Sequence, residues 1–252
     1  MLAMRRSGHH VVVHQVCHHL GRVLHLNNCK TTLFSGIVPI KGRFRLYDHR
    51  GIVDSGVLPR RRFRRMLATT DFSPNVLYSF EDADVGFDHS AAVEPHLDLT
   101  TICVVRDPFN WLASSLQHGS YMARDLDRRI ERWKKQVVQC LRPESYPFGR
   151  FVDVNYNRWV SDRTYREDLS RRLGLPFSDL GIEEVLEFGP GSSFEGTSFD
   201  GRGSKMAVLE RYKRFEDDAR YRLLVDDREL VALSEAYFGF TPESDHRPTA
   251  DS

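Results

Sequence analysis

Residues 1–19 of the chain read MLAMRRSGHHVVVHQVCHH, and this stretch predicts a strand, a polar turn and a helix in immediate succession. Residues 2–4 are apolar and suit a short strand, while residues 5–10 are polar and carry the glycine of a tight turn. Apolar residues then recur every three or four positions over residues 13–24, which is helical spacing. Gly21 weakens this pattern without ending it, so we predict a helix that the polar turn opens.

Two later segments predict buried strands, at residues 76–80 and at residues 100–105. Both are apolar, and the second is rich in β-branched residues, as expected for strands that are covered on both faces. Further elements are predicted as a strand at residues 150–154 and helices at residues 111–116, 126–141, 165–173, 206–215 and 227–238. Strands that alternate with helices predict an α/β fold with a mostly parallel central sheet and helices on both faces.

The overall composition favours one soluble domain without a large surface of one charge. The chain has 252 residues and a net charge of +1, so neither nucleic acid nor a membrane surface is expected as a partner. Residues 1–240 suffice for one α/β domain, and the polar tail of residues 241–252 is predicted to be disordered. No apolar run approaches the length of a membrane span, and the four cysteines are widely separated, which favours buried thiols in a cytoplasmic protein.

Three polar groups of residues follow predicted strands, where ligands bind in parallel sheets. The first is the turn Arg6-Ser7-Gly8-His9-His10. Gly8 lets the backbone approach an anion closely, while Arg6 adds a charge and Ser7 a hydroxyl donor beside the amides of the opening helix. The turn lacks the spacing of a Walker A loop, and an ordinary loop with a solvated arginine is the alternative interpretation.

The second polar group is Glu81 and Asp82, and the third pairs Arg106 with Ser114. Arg106 leaves the sheet at the end of its strand, and Ser114 follows eight residues later in the next helix. From these positions a guanidinium and a hydroxyl can converge on one phosphate. The alternative is a surface arginine that precedes a helix.

In combination these segments resemble the sulfotransferases that use 3′-phosphoadenosine 5′-phosphosulfate (PAPS). The turn at residues 6–10 is similar to the Lys-Ser-Gly-Thr-Thr loop that holds the 5′-phosphosulfate in that family. Residues 104–108 with Ser114 resemble its Arg-Asn/Asp-Pro…Ser element for the 3′-phosphate, and residues 151–156 and 172–176 resemble its strand–Tyr-Glu…Phe-Leu-Gly-Leu-Pro segment. Residues 191–194 and 201–203 resemble its Thr-Ser-Phe adenine contact and its Arg-Lys-Gly loop, so the similarity covers residues 4–240. Residues 197–199, Thr-Ser-Phe, are a second candidate for the adenine contact.

This resemblance implies a P-loop NTPase-like sulfotransferase fold, PAPS as co-substrate, 3′-phosphoadenosine 5′-phosphate (PAP) as product, and no metal. The acceptor would be a hydroxyl or amine of a small molecule or carbohydrate. By position, the base of the family falls at Glu81 first and Asp82 second, while Arg6 would neutralise the leaving group. As a separate option, His9 or His10 would lie over the sulfuryl group as a neutral donor. The implied cofactor-binding residues are Arg6, Ser7, Gly8, His9, His10, Arg106, Ser114, Ser193, Phe194, Arg202 and Gly203.

Other interpretations of the sequence stay open. A P-loop-like kinase or nucleotide hydrolase would share the sheet, although the chain lacks the Walker lysine and a clear set of Mg²⁺ ligands. A non-catalytic relative would only bind PAP. His10, His14 and His18 are spaced by four and form an alternative metal site. The basic run at residues 60–65 predicts a solvated helix face or a patch for an acidic acceptor.

Overall fold

The computed structural model describes residues 1–32, 36–39, 43–48, 51–57, 75–88, 99–119, 125–179, 182–185 and 194–242. The basic run at residues 60–65, Ser193 and the tail at residues 243–252 lie outside the described residues. Within the described ranges, no helix is both long and apolar enough to cross a membrane. All four cysteines are free and buried.

The described residues form a four-stranded parallel sheet together with seven α-helices, which confirms the α/β class. The strands are β1 Leu2–Ala3, β2 Val23–Leu26, β3 Cys29–Thr32, β4 Gly36–Pro39, β5 Arg43–Asp48, β6 Gly51–Val57, β7 Asn75–Tyr78, β8 Phe80–Glu81, β9 Thr100–Val105 and β10 Arg150–Asn155. The α-helices are α1 His9–His19, α2 Pro108–Gln117, α3 Leu126–Leu141, α4 Tyr156–Ser161, α5 Arg163–Leu173, α6 Ala219–Val225 and α7 Arg228–Phe238.

The two main sheets meet at one segment that contains β7, Ser79 and β8. The first sheet is four-stranded and parallel in the order β10-β9-β1-β8, and the second has the order β6-β5-β2-β7. In the second sheet β2 and β7 are parallel, whereas β5 runs antiparallel to β2 and β6. Backbone bonds from Phe80 N to Met1 O and from Ser79 N to Leu26 O tie the shared segment to β1 on one side and to β2 on the other. β1 and β2 therefore flank the same segment, and α1 connects them.

Helices cover both faces of the parallel sheet, as the sequence predicts. Alternate residues of β9 point to opposite sides of the sheet. Cys103 and Val105 join a hydrophobic cluster with side chains of α2, α3 and α7, whereas Ile102 and Val104 join a second cluster with side chains of α1, α4 and α5. This two-sided burial is why the strand is apolar throughout.

The first helix begins earlier and ends sooner than the sequence predicts. α1 starts at His9, directly after the turn, and ends at His19. Gly21 has a left-handed φ of 75°, and the buried strand β2 follows at Val23–Leu26. The prediction that the helix continues through Gly21 is therefore wrong, because a glycine with positive φ turns the chain out of the helical path.

Residues 206–215 do not form the predicted α-helix. A short 3-10 helix at Gly203–Lys205 precedes them, and a second one lies within them at Arg211–Arg214. The amide of Asn110 on α2 binds this backbone in two places. Asn110 Nδ2 donates to Leu209 O at 3.0 Å, and Asn110 Oδ1 accepts from Tyr212 N at 3.2 Å. Because these backbone groups are bound to a side chain of another element, they do not take part in an α-helical ladder.

A buried histidine lies where the two sheets meet. His25 of β2 is fully buried, and its Nε2 is 3.1 Å from the Ser79 hydroxyl. That hydroxyl can donate to Asn27 Oδ1 at 3.1 Å, which leaves its lone pairs for the histidine. Burial, together with the charge of Arg45, lowers the pKa of His25 well below the ordinary value of 6.5. His25 is therefore neutral in the folded protein at neutral pH.

We predict that the free energy of unfolding decreases as the pH falls below about 6.5, and that His25→Phe weakens this dependence. In this range the unfolded chain binds a proton at His25 and the folded chain does not, so acid favours unfolding by up to about 1.4 kcal/mol per pH unit. Urea denaturation at several pH values measures the slope. A His25→Phe variant with the slope of the wild type would contradict the prediction.

Candidate functional site

The turn between β1 and α1 is held in place by side chains of other elements. The Arg5 carbonyl accepts hydrogen bonds from Trp111 Nε1 at 2.8 Å and from Arg129 Nη2 at 3.1 Å. The Arg5 amide donates to Asp82 Oδ1 at 2.9 Å. The next residue, Arg6, has a left-handed φ of 69°. The position of the turn is thus set by α2, α3 and the end of β8.

Gly8 is packed directly against an aromatic ring. Its φ is 81°, and a Cβ atom built there would lie 2.4 Å from ring carbons of Tyr156, the first residue of α4. The sequence predicts a glycine that allows close approach, and the group that approaches it here is this ring. The ring centre of Tyr156 is also 5.5 Å from the guanidinium carbon of Arg106. Gly8 therefore allows the turn, α4 and the end of β9 to meet.

The start of α1 offers donors that have no partner within the described part of the chain. Ser7 is 1% exposed, and its hydroxyl has no hydrogen-bond partner among the described residues. The first turn of α1 contains no acidic residue and no side-chain cap. An unpaired buried hydroxyl costs free energy, and a helix N-terminus attracts anions. Ser7 and the first amides of α1 are thus suited to an anion.

Arg106 and Ser114 converge as their spacing predicts. Arg106 is 2% exposed, and its Nη1 donates to Ser114 Oγ at 3.1 Å and to the Arg6 carbonyl at 3.4 Å. Its Nη2 donates to the carbonyl of Val208, while Nε has no hydrogen-bond partner in the described part of the chain. The alternative of a surface arginine does not apply, because this guanidinium is buried beside the turn.

A third arginine, which sequence reasoning missed, lies near Arg106 and Arg6. Arg211 is 7% exposed, and its Nη2 donates to Glu195 Oε2 at 3.0 Å. Burial lowers the pKa of Arg106 to about 10 and also lowers that of Arg6, and the charge of Arg211 adds to both effects. The three cations therefore repel one another, and an anion among them would reduce this repulsion. The sequence shows a basic stretch at residues 211–214 but no spacing that selects Arg211.

Phe194 borders this group of arginines. Its ring centre is 4.8 Å from the guanidinium carbon of Arg211 and 5.1 Å from that of Arg214. The ring also packs edge-on against Phe215, with centres 6.3 Å apart. Of the predicted adenine contact, Phe194 thus borders the group of Arg6, Arg106 and Arg211, here called the arginine pocket. Ser193 lies outside the described residues.

The predicted 3′-phosphate loop at Arg202 and Gly203 lies apart from these contacts. The guanidinium carbon of the exposed Arg202 is 5.8 Å from the ring centre of Phe199. Gly203 is buried, and its amide donates to the Glu183 carbonyl at 2.9 Å. No hydrogen bond between described residues joins Arg202 or Gly203 to Arg106.

Glu81 lies between two imidazole rings at the end of β8. Its Oε1 is 3.5 Å from His9 Nε2 and 3.5 Å from His10 Nε2. Its Oε2 accepts a hydrogen bond from Arg5 Nε at 3.2 Å. The side chain of His9 is 3% exposed and that of His10 is 27% exposed. The cluster is therefore closed on the side of His9 and open on the side of His10.

Asp82 faces a different set of groups. Its Oδ1 is 3.4 Å from Arg129 Nε, and its Oδ2 is 3.4 Å from Arg5 Nε. Asp82 has a left-handed φ of 55°, which ends the strand after Glu81. Arg5 thus contacts both acids, whereas the imidazoles contact Glu81 and Arg129 contacts Asp82.

At neutral pH Glu81 is ionised and His10 is a neutral imidazole. Burial would raise the pKa of Glu81, but the interaction with the neighbouring His10 and His9 outweighs it, so the pKa is lowered. Burial and the neighbouring His9 lower the pKa of His10 to about 4, although Glu81 acts in the opposite direction. The cluster therefore offers lone pairs, which can accept a proton or bind a metal ion.

The metal site considered for His10, His14 and His18 is not formed. His14 Nε2 is instead 2.9 Å from Glu184 Oε2, and the ring centres of His14 and His18 are 6.5 Å apart. Among the described residues, the histidines and carboxylates close enough to share a metal ion are His9, His10 and Glu81.

Comparisons of the chain with known protein families, with curated proteins and with solved structures find no match. The chemistry of the site therefore has to be inferred from its own residues. On one side of the turn, buried arginines and a helix N-terminus favour an anion. On the other side, a carboxylate flanked by imidazoles favours proton transfer or metal binding.

We predict that Gly8→Ala destabilises the fold more than Gly174→Ala. Both glycines have positive φ, 81° and 70°, so each substitution introduces a left-handed alanine, which costs roughly 1–2 kcal/mol. At Gly8 the new Cβ also meets Tyr156 at 2.4 Å, whereas at Gly174 nothing lies within 4 Å. Urea denaturation of both variants measures the difference. Equal losses of unfolding free energy would show that the Tyr156 ring does not constrain the turn.

Proposed function

We propose that the protein transfers a sulfuryl group from PAPS to a hydroxyl or amine of a small-molecule or carbohydrate acceptor, with PAP as the second product. The observation that carries this proposal is the contact of Arg106 with Ser114 Oγ at 3.1 Å and with the Arg6 carbonyl at 3.4 Å. It joins the two segments whose sequences resemble the phosphate-binding elements of sulfotransferases. The parallel sheet, with a turn and helix directly after β1, is compatible with the P-loop NTPase-like fold of that family.

In this proposal the turn at residues 6–10 binds the 5′-phosphosulfate. The acceptor oxygen or nitrogen bonds to sulfur while the bond from sulfur to the bridging phosphate oxygen breaks, so negative charge develops on the leaving phosphate. The Ser7 hydroxyl, the first amides of α1 and the half-buried Arg6 are donors suited to that charge. The packing of Gly8 on Tyr156 keeps the turn fixed, which limits reorganisation during the transfer.

Arg106 and Ser114 are proposed to bind the 3′-phosphate, with Arg211 as an additional contact. A phosphate dianion matches several guanidinium groups in charge and in the geometry of their donors. Arg106 Nε, which has no hydrogen-bond partner among the described residues, is available to such a ligand. Phe194 borders Arg211 and is proposed to contact the adenine ring.

Glu81 is the proposed acceptor of the proton that the hydroxyl or amine loses, and Asp82 is the second candidate. Arg5 contacts both acids, but Arg129 pairs with Asp82 and the two imidazoles face Glu81, which favours Glu81 for this role. The lowered pKa of Glu81 makes it a weak base on its own. His10, whose Nε2 is 3.5 Å away, is therefore proposed to share the proton, with the carboxylate stabilising the imidazolium that forms.

The first test compares two nucleotides. We predict that PAP raises the temperature of thermal unfolding and that ATP with Mg²⁺ does not, because ATP lacks a 3′-phosphate for the arginine pocket. A ligand at about a hundredfold excess over its Kd stabilises a protein by about 2.7 kcal/mol. Equal shifts from both nucleotides would contradict the sulfotransferase proposal and favour a kinase-like site.

The second test concerns Arg106. We predict that Arg106→Ala weakens PAP binding by about 1.5–3 kcal/mol, the usual effect of losing a charge-assisted hydrogen bond, and titration calorimetry measures it. The matched control is Arg158→Ala. It removes from α4 an arginine whose side chain is 57% exposed and paired with Asp162, and it should leave PAP affinity unchanged.

Arg106 is buried, so each variant is first checked by thermal unfolding without ligand. If Arg106→Ala does not fold, Ser114→Ala carries the test, since it removes a neutral hydroxyl donor from the same pocket and should weaken binding by about 0.5–1.5 kcal/mol. Unchanged PAP affinity in a folded Arg106→Ala or Ser114→Ala variant would exclude this pocket as the 3′-phosphate site.

A further inference from the structure

We infer that His9, His10 and Glu81 form a binding site for a divalent transition-metal ion of the Zn²⁺ class. The three ligand atoms lie within 4.8 Å of one another, on the first turn of α1 and at the end of β8. Imidazole nitrogen and carboxylate oxygen are ligands that Zn²⁺ takes in proteins. This site departs from the metal-free chemistry that the sequence resemblance implies, and it does not depend on the proposed function.

The spacing of the ligand atoms fits a tetrahedral ion. With metal–ligand distances of about 2.0–2.2 Å, neighbouring ligand atoms of a tetrahedral Zn²⁺ site are about 3.3–3.6 Å apart. The distances from Glu81 Oε1 to His9 Nε2 and to His10 Nε2 are both 3.5 Å. They are long for hydrogen bonds between nitrogen and oxygen, which are about 2.7–3.2 Å. The two imidazole nitrogens lie within 4.8 Å of each other, and His10 is the partly exposed member of the pair.

His9 supplies a second and independent observation. Its side chain is 3% exposed, and neither of its ring nitrogens has a hydrogen-bond partner among the described residues. A buried polar group without a partner costs free energy. An ion bound at Nε2 would provide this partner, which a hydrogen bond to Glu81 at 3.5 Å does not.

Arg5 orients the carboxylate for such an ion. Arg5 Nε binds Glu81 Oε2 at 3.2 Å, so that Oε1 faces the imidazoles. Groups that hold the distal atom of a metal ligand commonly fix its orientation in this way. The charges of Arg5 and Arg129 are matched by Glu81 and Asp82, with contacts of 3.2–3.4 Å. The two nearby arginines are therefore paired and do not by themselves exclude a cation.

Three protein ligands leave a fourth position open, as in catalytic zinc sites. The exposed side of the cluster is that of His10, which gives water or a substrate hydroxyl access to this position. An ion lowers the pKa of a hydroxyl that binds to it. Water or a hydroxyl bound at this position would release its proton to solvent on the exposed side more readily than when it is free.

The test is metal binding by the full chain after removal of metals with a chelator and without nucleotide. We expect one equivalent of Zn²⁺ to bind in competition with a chromophoric chelator, and Co²⁺ to give the visible absorption of a tetrahedral site. His9→Gln, His10→Gln and Glu81→Gln should each weaken Zn²⁺ binding by at least about 100-fold. Absence of stoichiometric binding, or binding that these substitutions leave unchanged, would overturn the inference.

The matched control is His14→Gln. His14 is also a buried histidine of α1 beside a carboxylate, with Glu184 Oε2 at 2.9 Å, and its substitution should leave Zn²⁺ affinity unchanged. If His14→Gln alone abolished binding, the ion would lie at that pair and the inference would fail. Thermal unfolding with the chelator present checks that each variant folds. His10 is the most exposed of the three ligands, so His10→Gln should fold even if the other two variants do not, and it then provides the test. PAP binding is measured in a separate experiment, so failure of the metal site can be told apart from failure of the sulfotransferase proposal.

Discussion

The buried guanidinium of Arg106 is the interaction on which the candidate site depends. It extends from the end of β9 and binds Ser114 on α2, the carbonyl of Arg6 in the turn and the carbonyl of Val208. A buried charge costs several kcal/mol unless it is compensated, and here the hydrogen-bond partners among the described residues are all neutral oxygens. The contacts that assemble the site therefore also leave a cation in it. Its attraction for anions is a consequence of how the core is packed.

The fold class could be predicted because the decisive signals are local. The strand Thr100–Val105 is apolar at every buried position since both faces of its sheet are covered, and this is visible in the sequence. The end of α1 could not be predicted, because helical spacing continues past Gly21 into residues that pair as β2. The helix expected at residues 206–215 fails for a different reason. Hydrogen bonds from Asn110, about a hundred residues earlier in the chain, decide that backbone conformation.

The residues of the candidate site likewise fall into those that local sequence predicts and those that depend on distant parts of the chain. Ser7, Gly8 and Arg106 could be selected because each follows a strand that the sequence predicts. Arg211 could not, because its approach to Arg106 depends on the path of a loop with no regular pattern. The pairing of Glu81 with His9 and His10 depends on strand register, since Ala3 lies opposite Glu81 in the parallel pair of β1 and β8. A sequence shows that both segments end in polar residues, but not which residue of one strand lies beside which residue of the other.

One turn thus separates two regions that prefer ligands of opposite charge. The carbonyl of Arg6 binds Arg106, while His9 and His10, one or two residues beyond Gly8, face Glu81. Gly8 is packed against the Tyr156 ring, so a shift of the turn would change the geometry on both of its sides. A dication at Glu81 would add positive charge beside Arg6, and an anion at Ser7 would offset it. Binding of the two ligands should therefore be mutually favourable, and thermodynamic linkage requires each to strengthen the other by the same factor.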